Sequence, residues 1–304
     1  MTSSDAGMAV PDWPTTYGYN MFSYPLETWI FGPWDLFVEH GHRLMGAFVG
    51  LLTIALCVVV FLRDRRLWMR FFVTGALALV VFQGVLGGQR VEMNERQLAK
   101  IHASVGPAFF AVAVALAVFT SRKWRQAGDI RRSHRRASFV QRFALLTLFL
   151  SYMQLVIGAQ VRHVTTDATP SSYRAIVIFH LFMAGVVVLH VLVLGSCILF
   201  FGFSSELTRP AGLLCLLVFV QVALGMATWV VKFGWPAWFS ESSFAASYTV
   251  NEKSMLQMNI VTAHVAVGSL IVAAGTQLAL RSLRLLRPLT TTDEGSTVVK
   301  GAAI

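Results

Sequence analysis

Apolar runs of about 18 or more residues, long enough to span a bilayer, recur seven times along this chain: Leu44–Leu62, Phe71–Gly88, Ile101–Thr120, Phe139–Val161, Ala175–Phe203, Ala211–Val231 and Asn259–Leu280. A bilayer offers no water to unpaired peptide groups, so only helices and closed barrels cross it. These runs are too long for barrel strands, and none alternates with period two. They predict seven transmembrane helices in an all-α polytopic membrane protein. Composition agrees: 56% of the 304 residues are apolar and 13% charged, against about a quarter charged in a soluble domain. An ordinary soluble globule, a disordered chain and a nucleic-acid binder are thereby excluded.

The basic residues behind the net charge of +10 cluster in the gaps between runs. Arg63, Arg65 and Arg66 follow the first run, and Arg122, Lys123, Arg125, Arg131, Arg132, Arg135 and Arg136 follow the third. Arg209 follows the fifth, and Arg281, Arg284 and Arg287 follow the seventh. These gaps predict the cytoplasmic side of a cell (inner) membrane. The opposite gaps mix both signs, with Glu92, Glu95, Asp167, Glu241 and Glu252, and the N-terminal segment falls on their side. Met1 to Asn20 is polar and Pro/Gly-rich, without signal-peptide character. Cys57, Cys197 and Cys215 all lie inside apolar runs, which reads as three small buried hydrophobes, not a disulfide or zinc framework.

A repeat underlies this pattern. Gln-x-x-x-Gly occurs near the outer end of three helices, as Gln83/Gly87, Gln154/Gly158 and Gln221/Gly225, and Arg90 and Arg162 follow two of them. Thr165-Thr166-Asp167-Ala168 echoes Ser3-Ser4-Asp5-Ala6, and each tract leads through a Pro-containing loop to a helix bearing a histidine. The reading is two pseudo-symmetric four-helix bundle halves in parallel orientation. Residues 1–121 form the N-terminal half, 122–138 a basic cytoplasmic linker, 139–287 the C-terminal half and 288–304 a cytoplasmic tail. The first half shows only three helices, so a further helix is expected to precede Thr2, with Met1 a wrongly chosen start.

Four histidines form a set. His42, His102, His180 and His264 each sit in the outer third of a different helix, and the repeat makes His42 equivalent to His180 and His102 to His264. Ionisable groups inside a membrane are costly and tend to be functional. One imidazole per helix, with Gly41, Gly46, Ala103, Gly106, Gly185, Ala263, Ala266 and Gly268 nearby, suits bis-histidine haem between helices better than zinc or copper. His42 and His102 would share one haem pocket, and His180 and His264 another. Arg43, Arg90, Arg162 and Arg174, at the same helix ends, either donate to propionates or anchor the helices at the interface. His134 reads as a solvated surface residue, His163 as a loop residue, and His40 and His190 as packed structural residues. Glu39 stands three residues before His42 on one helix face. It is either a carboxylate complementing a helix N-terminus or an acid held against a haem edge.

With these residues in view, the chain resembles the heme A synthase family. Glu39-His40-Gly41-His42-Arg43 is similar to that family's Glu-x-x-His-Arg. Gln83–Gly88 and Gln154–Arg162 resemble its glutamine-glycine motifs, and Ala6–Pro14 its first outer loop. The resemblance implies an eight-helix fold in two halves. It implies a permanent b-type haem on His180 and His264, and the substrate, heme O, on His42 and His102. Glu39 would be the catalytic carboxylate. The implied reaction oxidises a methyl group of heme O to a formyl group, giving heme A for cytochrome oxidase assembly, with a heme O synthase as supplier. The electron acceptor is not set by these residues. Paired outer-loop cysteines of some bacterial members are absent, so a thiol relay is not implied. The rival reading is a di-haem b-type membrane cytochrome, such as a quinone oxidoreductase subunit. It calls for haems at different depths, whereas these four ligands lie on one side.

Overall fold

A computed structural model describes Gly7 and residues 9–126, 131–164, 168–240 and 242–289. In chain order the elements are β1 (Thr15–Thr16), β2 (Tyr19–Asn20), α1 (Leu26–Ile30), α2 (Trp34–Arg63), α3 (Leu67–Glu92), α4 (Arg96–Thr120) and α5 (Arg122–Arg125). There follow β3 (Arg132–His134), α6 (Ala137–Arg162), α7 (Pro170–Phe200), α8 (Ser205–Phe233), α9 (Ala237–Ser240), α10 (Ser243–Ala246), α11 (Met255–Leu285) and β4 (Leu286–Pro288). Among the described residues seven helices, α2, α3, α4, α6, α7, α8 and α11, are long and apolar enough to cross a membrane. The protein is a polytopic, largely helical membrane protein.

Six of the expected apolar runs lie wholly on these helices, the seventh, Ala175–Phe203, outlasts α7 by three residues, and all the helices begin earlier than the runs. The largest extension is in α2, which starts at Trp34 where Leu44 was expected. Pro33 precedes its first turn and Asp35 lies within it, both favourable at a helix start. The polar residues Glu39, His40 and Arg43 hide the helix from a hydropathy reading. The helix surfaces are strongly apolar: Phe71, Phe182 and Phe219 are exposed, as lipid-facing positions should be. Pro107 in α4 and Pro210 in α8 lie inside helices, which membrane helices tolerate.

The turn between α2 and α3 is short and self-contained. Asp64 accepts from the Arg66 guanidinium through both oxygens, at 2.9 Å and 2.6 Å. Arg70 donates to the carbonyls of Asp64 and Phe61, satisfying acceptors left open at the end of α2.

The chain divides into two compact units. The first comprises Met1–Phe110, Leu155–His180 and Val220–Gly268, and the second Ala111–Gln154, Leu181–Phe219 and Ser269–Ile304. The second unit contains the basic linker, and the described part of that linker is docked. β3 pairs in parallel with β4, Arg132 opposite Leu286 and His134 opposite Pro288. Glu206 pairs with Lys123 and, at 3.7 Å, with Arg281. Arg284 donates to the Trp124 carbonyl and lies over its ring. His134, expected to be solvated, packs on Phe203 at 4.0 Å between ring centroids, with Nε2 3.0 Å from the Phe201 carbonyl. His190 is the packed residue expected: it stacks with Phe143, with Nδ1 2.9 Å from the Val186 carbonyl. The echoing tracts Ser3–Ala6 and Thr165–Asp167, and residues 290–304 of the expected tail, lie outside the described residues.

Candidate functional site

All four histidines of the predicted set fall in the first unit. The site is built outward from α2, whose Glu39-His40-Gly41-His42-Arg43 segment splits into two kinds of side chain. Glu39, His40 and Arg43 serve the N-terminal loop. Glu39 Oε2 accepts from the Val10 amide at 3.0 Å, and Oε1 lies 3.1 Å from Arg43. Arg43 donates to the carbonyls of Val10, Asp12 and Thr15 at 2.8, 2.6 and 2.7 Å. His40 Nδ1 is 3.0 Å from Thr16 Oγ1, and its ring packs against Tyr24 and Trp29. Glu39 and His40 are each only 1% exposed. His40 is thus the structural residue expected of it. Glu39, expected either at a helix terminus or against a haem edge, has both oxygens engaged by Val10 and Arg43.

The loop itself is preformed around Asp12, which accepts from Thr15 Oγ1, the Tyr17 amide at 2.8 Å and the Gly18 amide at 2.9 Å. Partial burial opposes ionisation of Asp12, but these hydrogen bonds outweigh it and hold the carboxyl below its ordinary range. From this loop Trp13 reaches α3. Its ring occupies the space above buried Gly88, where a Cβ would meet it at 2.2 Å.

His42 points away from the loop contacts. Its residue is exposed, and its ring centroid stands 6.2 Å from that of His102, with the rings inclined at 76°. Gln83 and His102 hold each other in both directions: Gln83 Nε2 donates to the His102 carbonyl at 2.9 Å, and His102 Nδ1 lies 3.1 Å from the Gln83 carbonyl. Two glycines allow that approach. A Cβ at Gly87 would come within 2.9 Å of the His102 ring, and one at Gly106 within 3.2 Å of the Gln83 amide.

The other two histidines sit in matching cradles. A Cβ at Gly158 would reach the His180 ring at 3.2 Å, and one at Gly225 the His264 ring at 3.3 Å. Gln221 Nε2 is 3.4 Å from His264 Nε2, and a Cβ at Gly268 would be 3.4 Å from that amide nitrogen. The Gln-x-x-x-Gly motif therefore has one geometric meaning in all three copies: its glycine backs a histidine on the next long helix. Two of the glycines noted beside the histidines complete the arrangement, each four residues on: Gly106 after His102 and Gly268 after His264.

The arginines separate. Arg43 is committed to the loop, and Arg90 and Arg162 are half-buried near the ends of α3 and α6. Arg174 is exposed on the first turns of α7. His163, just past α6, is held near neutrality by its surroundings. Burial, then the charges of Arg162, Arg90 and Lys100, pushes its pKa down to about 4.

Among the described residues no group of three or more His, Cys, Asp or Glu could hold a metal ion. A group that brings its own equatorial ligands needs only two imidazoles. The His42 and His102 rings, 6.2 Å apart between centroids, are the pair that would hold it. Buried polar atoms at both sites also lack hydrogen-bond partners: Gln83 Oε1, Arg90 Nε and Gln221 Oε1. The paired imidazoles, glycine cradles and unsatisfied polar atoms fit a haem.

Residues 33–172 match the family described as cytochrome oxidase assembly protein. The chain is also 24% identical over 251 residues to the heme A synthase of an Exiguobacterium species, spanning 77% of each chain. Together these are a distant but consistent match to the heme A synthase family. No solved structure matches the chain.

Proposed function

We propose that this protein is a heme A synthase, an oxidoreductase that converts a methyl group of heme O to a formyl group. His42 and His102 take the substrate haem, and His180 and His264 hold a permanent haem b. The observation that carries this reading is the His42–His102 pair, 6.2 Å apart beside the glycine-backed clamp of Gln83. The recurrence of the same cradle at His180 and His264 supports a second haem. Conversion of methyl to formyl removes four electrons and adds one oxygen atom; a bound haem would relay those electrons one at a time to an external acceptor, chemistry that side chains lack.

The chain's own groups bind, orient and shield. The His102 Nδ1 contact with the Gln83 carbonyl leaves Nε2 as the nitrogen with a free lone pair. Arg90, with an unpartnered Nε, and Arg162 are the donors for propionates. Arg43 serves this end indirectly, through the loop, and Arg174 stands at the solvent side. Trp13 and the Val10–Thr16 loop exclude water. Glu39 is the catalytic carboxylate of this reading, with both oxygens engaged by Val10 and Arg43. The histidines lie toward the non-cytoplasmic face, heme O arrives from its synthase, and the bilayer surrounds the helices.

The test is extraction and chromatography of haems from cells that express this chain with a heme O source. Heme A should appear with the wild type and disappear with His102→Ala. Haem-loaded protein that yields no heme A would defeat the reading and leave an electron carrier.

A further inference from the structure

We propose that Gln83 is a positioning residue for the His42–His102 site: its side chain holds the His102 main chain where the Gln83 carbonyl meets the His102 ring. This rests on the haem-binding reading above. The side chain of Gln83 binds the main chain of His102, and the ring of His102 binds the main chain of Gln83. Each contact holds the two main chains at the distance the other needs. An imidazole whose Nδ1–H donates to a carbonyl carries its lone pair on Nε2, so the clamp selects the tautomer before any ligand arrives.

The spacing around the clamp is specific. Gly87 leaves room for the ring and Gly106 for the amide, and any Cβ would press on one or the other at 2.9 Å and 3.2 Å. Gln221, Gly225, His264 and Gly268 repeat the four residue types at the same spacings on α8 and α11. A glutamine that merely glued two membrane helices would not need a glycine aligned on its amide, as Gly106 is.

The full chain in detergent, titrated with ferric haem b as the probe, separates these roles. Wild type should take up haem with a low-spin, bis-imidazole spectrum. Gln83→Leu, which keeps the main-chain carbonyl but removes the side chain's hold on His102, should weaken uptake and shift the bound haem toward high spin. Gly106→Ala, which displaces the amide without removing it, should move both readouts the same way by less. It decides the matter if Gln83→Leu does not fold. Wild-type affinity and an unchanged low-spin spectrum in the variant would overturn the positioning role alone. Wild type that binds no haem at this site would overturn this inference and the haem reading together.

Discussion

Glu39 and Arg43, one helical turn apart, divide a single loop residue between them: Glu39 accepts the Val10 amide and Arg43 donates to the Val10 carbonyl. The pair also bonds to itself at 3.1 Å, with side chains 1% and 8% exposed. Removing Glu39 leaves a buried guanidinium without its counter-charge, a loss of about 3 kcal/mol or more. Glu39→Ala should therefore raise deuterium exchange across residues 9–18, and lower thermal stability, before any effect on turnover is considered. Wild-type exchange in that loop would show that the pair does not hold it.

Gly88 has no room for a methyl group, because the Trp13 ring fills the space. Gly88→Ala should expel Trp13 and loosen the same loop while leaving Glu39 and Arg43 intact. Exchange should rise around residue 13 more than around residue 10. An unperturbed loop would mean that the ring does not seat on α3.

His180→Ala or His264→Ala should remove the permanent haem, read as loss of its low-spin absorption in protein purified without added haem. His190→Ala, on a residue that stacks on Phe143, should keep that absorption at some cost in stability. Retention of the haem in both single variants would refute the second pair.

His163 titrates in the folded protein at about 4, against about 6.5 unfolded. A depressed histidine pKa means that folding favours the neutral ring. Its contribution is fully present above about 6.5 and is lost as pH falls toward 4. Thermal stability should drop over that window, and His163→Gln should flatten the drop. An identical pH profile in the variant would assign the loss elsewhere.

Glu206 offers the opposite expectation. It pairs with Lys123 and Arg281, but side-chain exposures of 26% for Glu206 and 61% for Lys123 leave these contacts in solvent. Exposed pairs contribute about 0–1 kcal/mol, so Glu206→Gln should shift the melting temperature by only a degree or two. A loss as large as that for Glu39→Ala would show that the linker's charges matter more than their exposure suggests.

The seven spans were legible because bilayer thickness sets a length that apolar runs must match. The four histidines stood out because polar groups at that depth are rare. The start of α2 was hidden by Glu39, His40 and Arg43, whose burial depends on a loop some 30 residues away in sequence. The clamp of Gln83 on His102 had a sequence trace, glycines four residues after each partner, but a spacing does not say which two helices face each other. The docking of His134 left no trace, since a basic gap looks the same solvated or bound.

The β3–β4 ladder ties Arg132–His134 to Leu286–Pro288, across more than 150 residues of chain. During synthesis the linker therefore waits: it has no strand to pair with until α6, α7, α8 and α11 have all left the ribosome and entered the bilayer. A chain truncated before residue 286 would keep every long helix yet never form this ladder.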